Sequence, residues 1–276
     1  MPLIAKGLCY TYNRGEPDEV KALNGIDLTI EAGELVLVAG PNGSGKTTLM
    51  QCLSGLLKPA SGSVIIDGVD AVKCGSTAMS IQFPERALFE RTVLDDVTFG
   101  PLNRGKGKEE ARQCAIRAIE AVGLGDDALL ARPMSLSQGQ RRLAALAGVI
   151  AAGPRYLFLD EPTAGLDSNG KERIARIMAG LARDGMAVVV ASHDLAHLMG
   201  VCGRMIVLDK GRVAMDGRPG DIVSLEGLER MGLALPPSAA VARWLRGKGV
   251  DAPWDIGPEE AAEHLRRILH EGTRMD

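Results

Sequence analysis

The sequence predicts an α/β fold built around a parallel sheet that is covered on both faces. Leu35-Val-Leu-Val-Ala39, Ser63-Val-Ile-Ile66, Met79-Ser-Ile-Gln-Phe83, Tyr156-Leu-Phe-Leu159, Ala187-Val-Val-Val-Ala191 and Met205-Ile-Val-Leu208 are apolar runs bounded by turn residues. Several lack polar alternation, which is how strands read when neither face meets water. Helix-spaced patterns fall between them, and alternating strands and helices define α/β architecture.

Taken in order, the first ~35 residues and the 63–67 stretch read as an antiparallel β layer beside the core. After Leu35–Ala39 comes Gly40-Pro-Asn-Gly-Ser-Gly-Lys46-Thr47, then a helix patterned on Leu49, Cys52, Leu53, Leu56 and Leu57. Between Phe83 and Arg155 the strand signal fades, and residues 84–154 read as a helical subdomain inserted into the α/β core. One helix there repeats Ala111, Cys114, Ala115, Ala118, Ile119 and Val122, with Glu109, Glu110, Arg112, Arg117 and Glu120 mainly on the other side. Met205–Asp216 reads as a hairpin turning at Lys210-Gly211. Residues 1–220 thus form one domain, and residues 221–276 a helical extension. The extension holds Pro236-Pro237, Ala239–Arg246 and an amphipathic helix from Pro258, with Ala262, Leu265, Ile268 and Leu269 on one face.

Bulk properties exclude several classes. A net charge of −3 and 3% aromatic residues offer neither a general pull on nucleic acid nor a base-stacking platform. Five scattered cysteines (Cys9, Cys52, Cys74, Cys114 and Cys202), none in a C-x-x-C pair, point to a reducing cytosol rather than a disulfide framework or a zinc site. No N-terminal stretch resembles a signal peptide, and no apolar run approaches the roughly 18–20 residues of a spanning helix. The chain is therefore expected to be soluble and to reach a membrane only through a partner.

Gly40-x4-Gly45-Lys46-Thr47 fits the phosphate-loop pattern between a strand and a helix. Gly40, Gly43 and Gly45 let backbone N–H groups converge on phosphate oxygens without Cβ obstruction, with Asn42, Ser44 and Thr48 in the same cradle. The positive end of the following helix adds to that attraction. Lys46 is expected to reach the β- and γ-phosphates and Thr47 to bind Mg²⁺. Asp160 ends a buried strand, where its carboxylate can reach the metal, and Glu161 is expected to polarise attacking water. Far downstream of the phosphate loop, Leu136-Ser137-Gln138-Gly139-Gln140 is a second Ser/Gly-rich anion cradle. Its distance along the chain points to two chains clamping one ATP.

With these motifs in this order, residues 1–218 resemble the ATP-binding-cassette ATPases, whose signature usually reads Leu-Ser-Gly-Gly-Gln. The resemblance implies a P-loop NTPase, RecA-like core. It implies that Ser137 and Gly139 contact the γ-phosphate of ATP held by the opposite subunit, and that a helix starting near Gln140 points at the same anion. Gln138 stands where the first signature glycine is usual. Gln82 matches the glutamine that senses Mg²⁺ and the γ-phosphate, and Ala164-Gly-Leu-Asp167 matches the loop that crosses to the other subunit. His193 matches the switch histidine and Tyr12 the aromatic that stacks on adenine, with Tyr10 as the alternative. His193-Asp-Leu-Ala-His197 is similar to the zinc-protease pattern but has Asp where the base should be Glu. His264 and His270 are expected to be solvated.

Phe83-Pro84-Glu85-Arg86-Ala87-Leu88-Phe89, then Thr92-Val93 and Phe99-Gly-Pro101-Leu-Asn103, resemble the ATPase subunits of energy-coupling-factor importers of vitamins, cobalt and nickel. Ala87 stands where Gln is frequent. The resemblance implies a second ATPase subunit (a copy or a paralogue) and a separate membrane substrate-binding subunit. It also implies a membrane coupling subunit met by Phe83, Pro84, Glu85, Leu88 and Phe89. Leu88 and Phe89 alternatively pack the helical subdomain onto the core. The extension after residue 220 is similar to the one that holds two such ATPases together. The expected location is the cytoplasmic face of the membrane. The alternative open from sequence is a cassette ATPase outside transport, for example one assisting cofactor assembly.

Overall fold

The computed structural model describes residues 2–80, 82–224, 228–254 and 258–272. Its strands are β1 (Leu3–Tyr12), β2 (Val20–Ile30), β3 (Leu35–Ala39), β4 (Ser61–Ile66), β5 (Val69–Asp70), β6 (Thr77–Ser80), β7 (Tyr156–Asp160), β8 (Ala187–Ala191), β9 (Arg204–Asp209) and β10 (Arg212–Gly217). Its helices are α1 (Lys46–Leu53), α2 (Ala71–Cys74), α3 (Val93–Asn103), α4 (Lys108–Ala121), α5 (Gln138–Ala151), α6 (Ser168–Arg183), α7 (Leu195–Leu198), α8 (Pro219–Ser224), α9 (Pro237–Gly247) and α10 (Pro258–Gly272).

Two sheets carry the molecule. A six-stranded sheet runs β10-β9-β3-β8-β7-β6, and a four-stranded sheet runs β2-β1-β4-β5. In the larger sheet β3 lies between β8 and β9, parallel to both, and β6, β7 and β8 are parallel neighbours. Every residue of β3, β7 and β8 is buried, which is why these strands show no polar alternation. Alternate residues still serve different cores. Val36, Val38, Phe158 and Val189 pack with Leu49 and Leu53 of α1 and with Leu3, Leu8 and Ile26 of the antiparallel layer. Leu35, Leu37, Leu157, Leu159, Val188 and Val190 pack toward α3–α6 on the other face.

The elements between β6 and β7 are helical. Thr92 caps α3 by accepting from the Asp95 N–H at 3.1 Å, with Asp95 and Asp96 in the turn where the helix dipole favours negative charge. Alanines 144, 147 and 151 line the buried side of α5. At Gly100 a Cβ would meet the Gly148 carbonyl at 3.1 Å, so glycine sets the closeness of α3 and α5. In α4, Ala111, Ala115, Ala118 and Ile119 face inward as the periodicity predicts.

Three boundaries differ from the sequence reading. α1 ends at Leu53, and Gly55 at φ 79° follows, so Leu56 lies outside the helix and 67% exposed. β6 ends at Ser80, so the strand read through Phe83 is shorter and Gln82 lies in a bend. Phe83 takes φ 58°, which no strand continues. α5 starts at Gln138, two residues before the expected Gln140. The β9–β10 hairpin turns at Lys210-Gly211, both at positive φ.

In the C-terminal part, Ala242, Leu245, Ala252 and Ala261 form a small core with Val241, Val250, Trp254 and Leu265 against it. Trp254 also packs against the main core, and Arg246 Cζ lies 4.8 Å from its ring centroid. His264 is half-buried, with Arg267 Nη2 3.2 Å from its Nδ1. The side chains of Ile268, Leu269 and His270 lie outside the described residues.

Candidate functional site

The carboxyl ends of β3, β7 and β8 meet at one cleft of about 500 Å³, lined by Tyr12, Val20, Ala22, Asn42, Gly43, Gly45, Lys46, Thr47, Thr48, Gln82, Asp160, Glu161 and His193. Chain segments more than a hundred residues apart thus converge, as expected at the strand ends of an open α/β sheet. Val20 and Ala22 were not foreseen from sequence. Nothing in an edge strand distinguishes a cleft-lining residue from any other.

The phosphate loop is built by close approach. A Cβ at Gly40 would stand 2.4 Å from the Leu208 carbonyl, and one at Gly45 would stand 2.4 Å from the Ala22 carbonyl. Only glycine fits either place, and both also have positive φ. The loop's polar groups turn inward. Lys46 Nζ donates to the carbonyls of Gly40 at 2.7 Å and Pro41 at 3.1 Å. Ser44 Oγ is buried without a hydrogen-bond partner. A buried hydroxyl without an acceptor, and an ammonium held on backbone oxygens, fit a cradle for a phosphate chain. Burial lowers the proton affinity of Lys46, against the pull of Glu161 and Asp160.

Beneath the loop, Thr47 Oγ1 donates to Asp160 Oδ2 at 2.8 Å. Burial raises the Asp160 pKa above the usual carboxylate range, with the Thr47 hydrogen bond and Lys46 opposing and Glu161 adding to it. Hydroxyl, carboxylate and the Gln82 amide form an all-oxygen set of the hard kind that suits Mg²⁺.

Glu161 follows Asp160 at φ 48°, a conformation costing roughly 1–3 kcal/mol for a non-glycine residue. The turn sends the two adjacent carboxylates different ways. Glu161 Oε2 accepts from Ser192 Oγ at 2.9 Å, and Oε1 accepts from the His193 N–H at 3.1 Å with His193 Nδ1 2.7 Å away. Ser192, fully buried, also accepts from the Asp194 N–H at 3.0 Å. Its role was not foreseen, although its place beside His193 was the available signal. Tyr12 OH lies 3.1 Å from Thr48 Oγ1, and the Tyr10 ring meets the Tyr12 ring edge-on at 4.8 Å. Tyr12 faces the cleft; Tyr10 is behind it, packed against the core.

Ser137, Gly139, Gln140 and Asp167 do not line this cleft. Ser137 Oγ accepts from the Gln140 N–H at 3.2 Å, and Gln140 Oε1 accepts from the Ser137 N–H at 3.0 Å, a capping box at the start of α5. Gln138 is the exposed first residue of that helix. Asp167 caps α6, accepting from the Gly170 N–H at 2.8 Å. His197 Nδ1 lies 3.0 Å from Asp194 Oδ1, and Lys171 Nζ 2.8 Å from Asp194 Oδ2.

Near Gln82, the residues expected to meet a membrane partner divide. Pro84, Glu85 and Leu88 are buried, Phe83 is half-buried and Phe89 is 62% exposed. Leu88 packs into the main core, so of the pair only Phe89 stands at the surface. Asp96 Oδ2, unremarked in sequence, accepts from the N–H groups of both Phe89 and Glu90 at 2.8 Å and fixes the loop that presents the ring. Phe99 joins it edge-on, ring centroids 5.0 Å apart.

Residues 23–164 match the ABC transporter family model. The chain is 40% identical over 98% of its length to the energy-coupling factor transporter ATP-binding protein EcfA2 of Symbiobacterium thermophilum, covering 97% of it. It is 39% identical to the protein of that name from Clostridium acetobutylicum, over 99% of this chain and 100% of the relative. Among solved structures it is similar to CbiO1 from Clostridium perfringens, part of the ABC transporter complex CbiONQ (TM-score 0.73, 31% identity, 90% of this chain and 96% of that one). A dimeric ATP-binding cassette in a post-hydrolysis state with ADP and Pi matches with TM-score 0.70 and 29% identity, over 79% of this chain and 98% of that one.

The fold and the cleft define an ATP-binding P-loop ATPase of the cassette kind. The chain belongs to the ABC transporter family, in the group of energy-coupling factor transporter ATP-binding proteins. No helix among the described residues is long and apolar enough to cross a membrane.

Proposed function

We propose that this chain binds Mg-ATP on its own phosphate loop and closes head to tail with a second cassette, and that the closing stroke powers import through membrane subunits. The observation that carries this reading is the split of the expected ATP contacts. Lys46, Thr47, Asp160, Glu161 and His193 share one cleft, while Ser137 and Gly139 lie outside its lining. A second chain's α5 would bring its N-terminus to the γ-phosphate and supply the missing donors. The dimeric form of the solved cassette, which holds ADP and Pi, supports such an arrangement.

In this reading Lys46 and the loop N–H groups neutralise the phosphates, and Thr47, Asp160 and Gln82 would hold Mg²⁺. When bound, the metal would offset charge on the β- and γ-oxygens. Glu161, its oxygens held by Ser192 and His193, takes the proton from attacking water. Closure supplies positioning and electrostatic stabilisation, the main devices of phosphoryl transfer. Loss of the γ-phosphate removes the bridging anion and lets the dimer reopen.

A membrane partner is supported by an apolar groove of about 220 Å³ beside the Gln82 bend, lined by Met79, Pro84, Ala87, Phe89, Phe99 and Val149 among others. A partner helix seated there would feel the sensor segment directly. The group's name and the Phe83–Asn103 pattern support an energy-coupling-factor-type importer of a vitamin, cobalt or nickel, at the cytoplasmic face of the membrane. Residues 221–276 would help hold the two ATPases together.

Affinity purification from membranes solubilised in detergent tests the reading. Co-purifying membrane proteins are expected, and recovery of soluble partners alone would contradict it.

A further inference from the structure

Outside the groups that line the nucleotide cleft, one buried cation touches three segments that hydrolysis must coordinate. Arg142 sits near the start of α5, five residues after Ser137, and is 3% exposed. Its Nη1 donates to the Ala164 carbonyl, and its Nη2 makes a long 3.4 Å hydrogen bond to the Glu161 carbonyl. Its Cζ stands 6.0 Å from the centroid of the Phe83 ring, which Arg86 approaches at 4.9 Å.

Two of these contacts involve residues of unusual backbone conformation. Glu161 and Phe83 are both non-glycine residues at positive φ, 48° and 58°. Such conformations persist only where the surroundings over-determine them, and here the same guanidinium bonds the Glu161 carbonyl and stands over the Phe83 ring. Glu85, 9% exposed, draws Arg142 electrostatically, and its Oε2 is buried without a hydrogen-bond partner. A buried charge this constrained has little freedom to move unless α5 moves with it.

We propose that Arg142 is a positioning residue that ties the orientation of α5 to the backbone of Glu161 and to the turn after Gln82. A displacement of the signature helix on closure, or of the Phe83–Ala87 turn by a partner in the groove, then reaches the carboxylate that faces water. Arginine is required because its planar fork serves two carbonyls while its Cζ stands over a ring, which a lysine ammonium does not reproduce. The inference rests on Glu161 acting on the attacking water.

The test separates kcat from KM for ATP in the full chain, purified in the complex that supports hydrolysis. Arg142→Lys is expected to lower kcat on the order of 10²-fold, the scale of a small misplacement at a reacting centre. KM should stay at the parent value, and the variant should remain folded at the assay temperature even if its melting temperature falls. A double variant, Arg142→Met with Glu85→Gln, removes both buried charges and is expected to show the same kcat loss. Hydrolysis at the parent rate in either variant overturns the proposal. So does a loss that merely tracks the folded fraction, or failure of both variants to fold, since Arg142 would then be needed for folding alone. Glu161→Gln, run in parallel, tests the underlying reading. Were that variant active, the role of Glu161 would fall; were it inactive beside a fully active Arg142→Lys, only the positioning role would.

Discussion

His193 grips Glu161 twice: its backbone N–H donates to Oε1 at 3.1 Å, and its Nδ1 lies 2.7 Å from the same oxygen. The His193 side chain is otherwise 71% exposed, while the Glu161 side chain is 14% exposed. The carboxylate is therefore fixed by Ser192, the His193 backbone and the imidazole together, and under the proposed mechanism the exposed imidazole leaves this contact to turn toward a γ-phosphate.

Glu161→Gln keeps the shape of this arrangement but cannot accept a proton. Hydrolysis should fall by on the order of 10²–10⁴, the range for a general base, with ATP affinity retained. Steady-state turnover and equilibrium nucleotide binding check it. Loss of binding in step with turnover would assign Glu161 to holding nucleotide.

Asp160 is held in an environment that opposes its charge. Its folded pKa lies above the ordinary value, chiefly through burial. Its contribution to stability is therefore full below the ordinary Asp range and is lost as pH rises through the raised value. Asp160→Asn should melt at a higher temperature than the parent near neutral pH without nucleotide, and the gap should shrink on acidification. The same variant should lose Mg²⁺-dependent hydrolysis, a trade of stability for function. Thermal melts of both proteins across the acid-to-neutral range measure the gap.

Tyr12 faces the cleft and Tyr10 stands behind it. Tyr12→Ala should weaken ATP binding by roughly 1–3 kcal/mol, the usual worth of base–aromatic stacking, and Tyr10→Ala by less. Titration with a fluorescent ATP analogue gives both values, and the reverse order would move the adenine to Tyr10.

Phe89 is presented on a loop pinned by Asp96 and is the exposed member of the pair Leu88-Phe89. Phe89→Asp should abolish recovery of membrane proteins in detergent pull-downs while the purified chain still binds ATP. Undiminished recovery would put the partner contact elsewhere.

Much of this was readable in the sequence, for identifiable reasons. The phosphate loop, Asp160 and Glu161 are short-range patterns placed at strand ends, where local geometry dictates chemistry. The two-faced burial of β3, β7 and β8 is written in their unbroken apolar composition. Boundaries set by single backbone conformations were not readable. Gly55 stops α1 before Leu56, and Phe83 at positive φ breaks what composition extends as a strand. Also hidden were side chains that act on distant backbone, Arg142 on Ala164 and Glu161, and Asp96 on Phe89 and Glu90. Such contacts depend on how elements pack together and leave no periodic trace. Ser137-x-x-Gln140 shows the opposite hazard. Its local capping box is visible in sequence, yet the same residues are expected to serve a second molecule's nucleotide.

Under the proposed mechanism ATP is hydrolysed between two chains. Turnover per chain, measured alongside sedimentation from dilute to concentrated protein, tests it most directly. Turnover per chain is expected to vanish as the protein becomes monomeric and to rise as two cassettes associate. Constant turnover in strictly monomeric protein would contradict it.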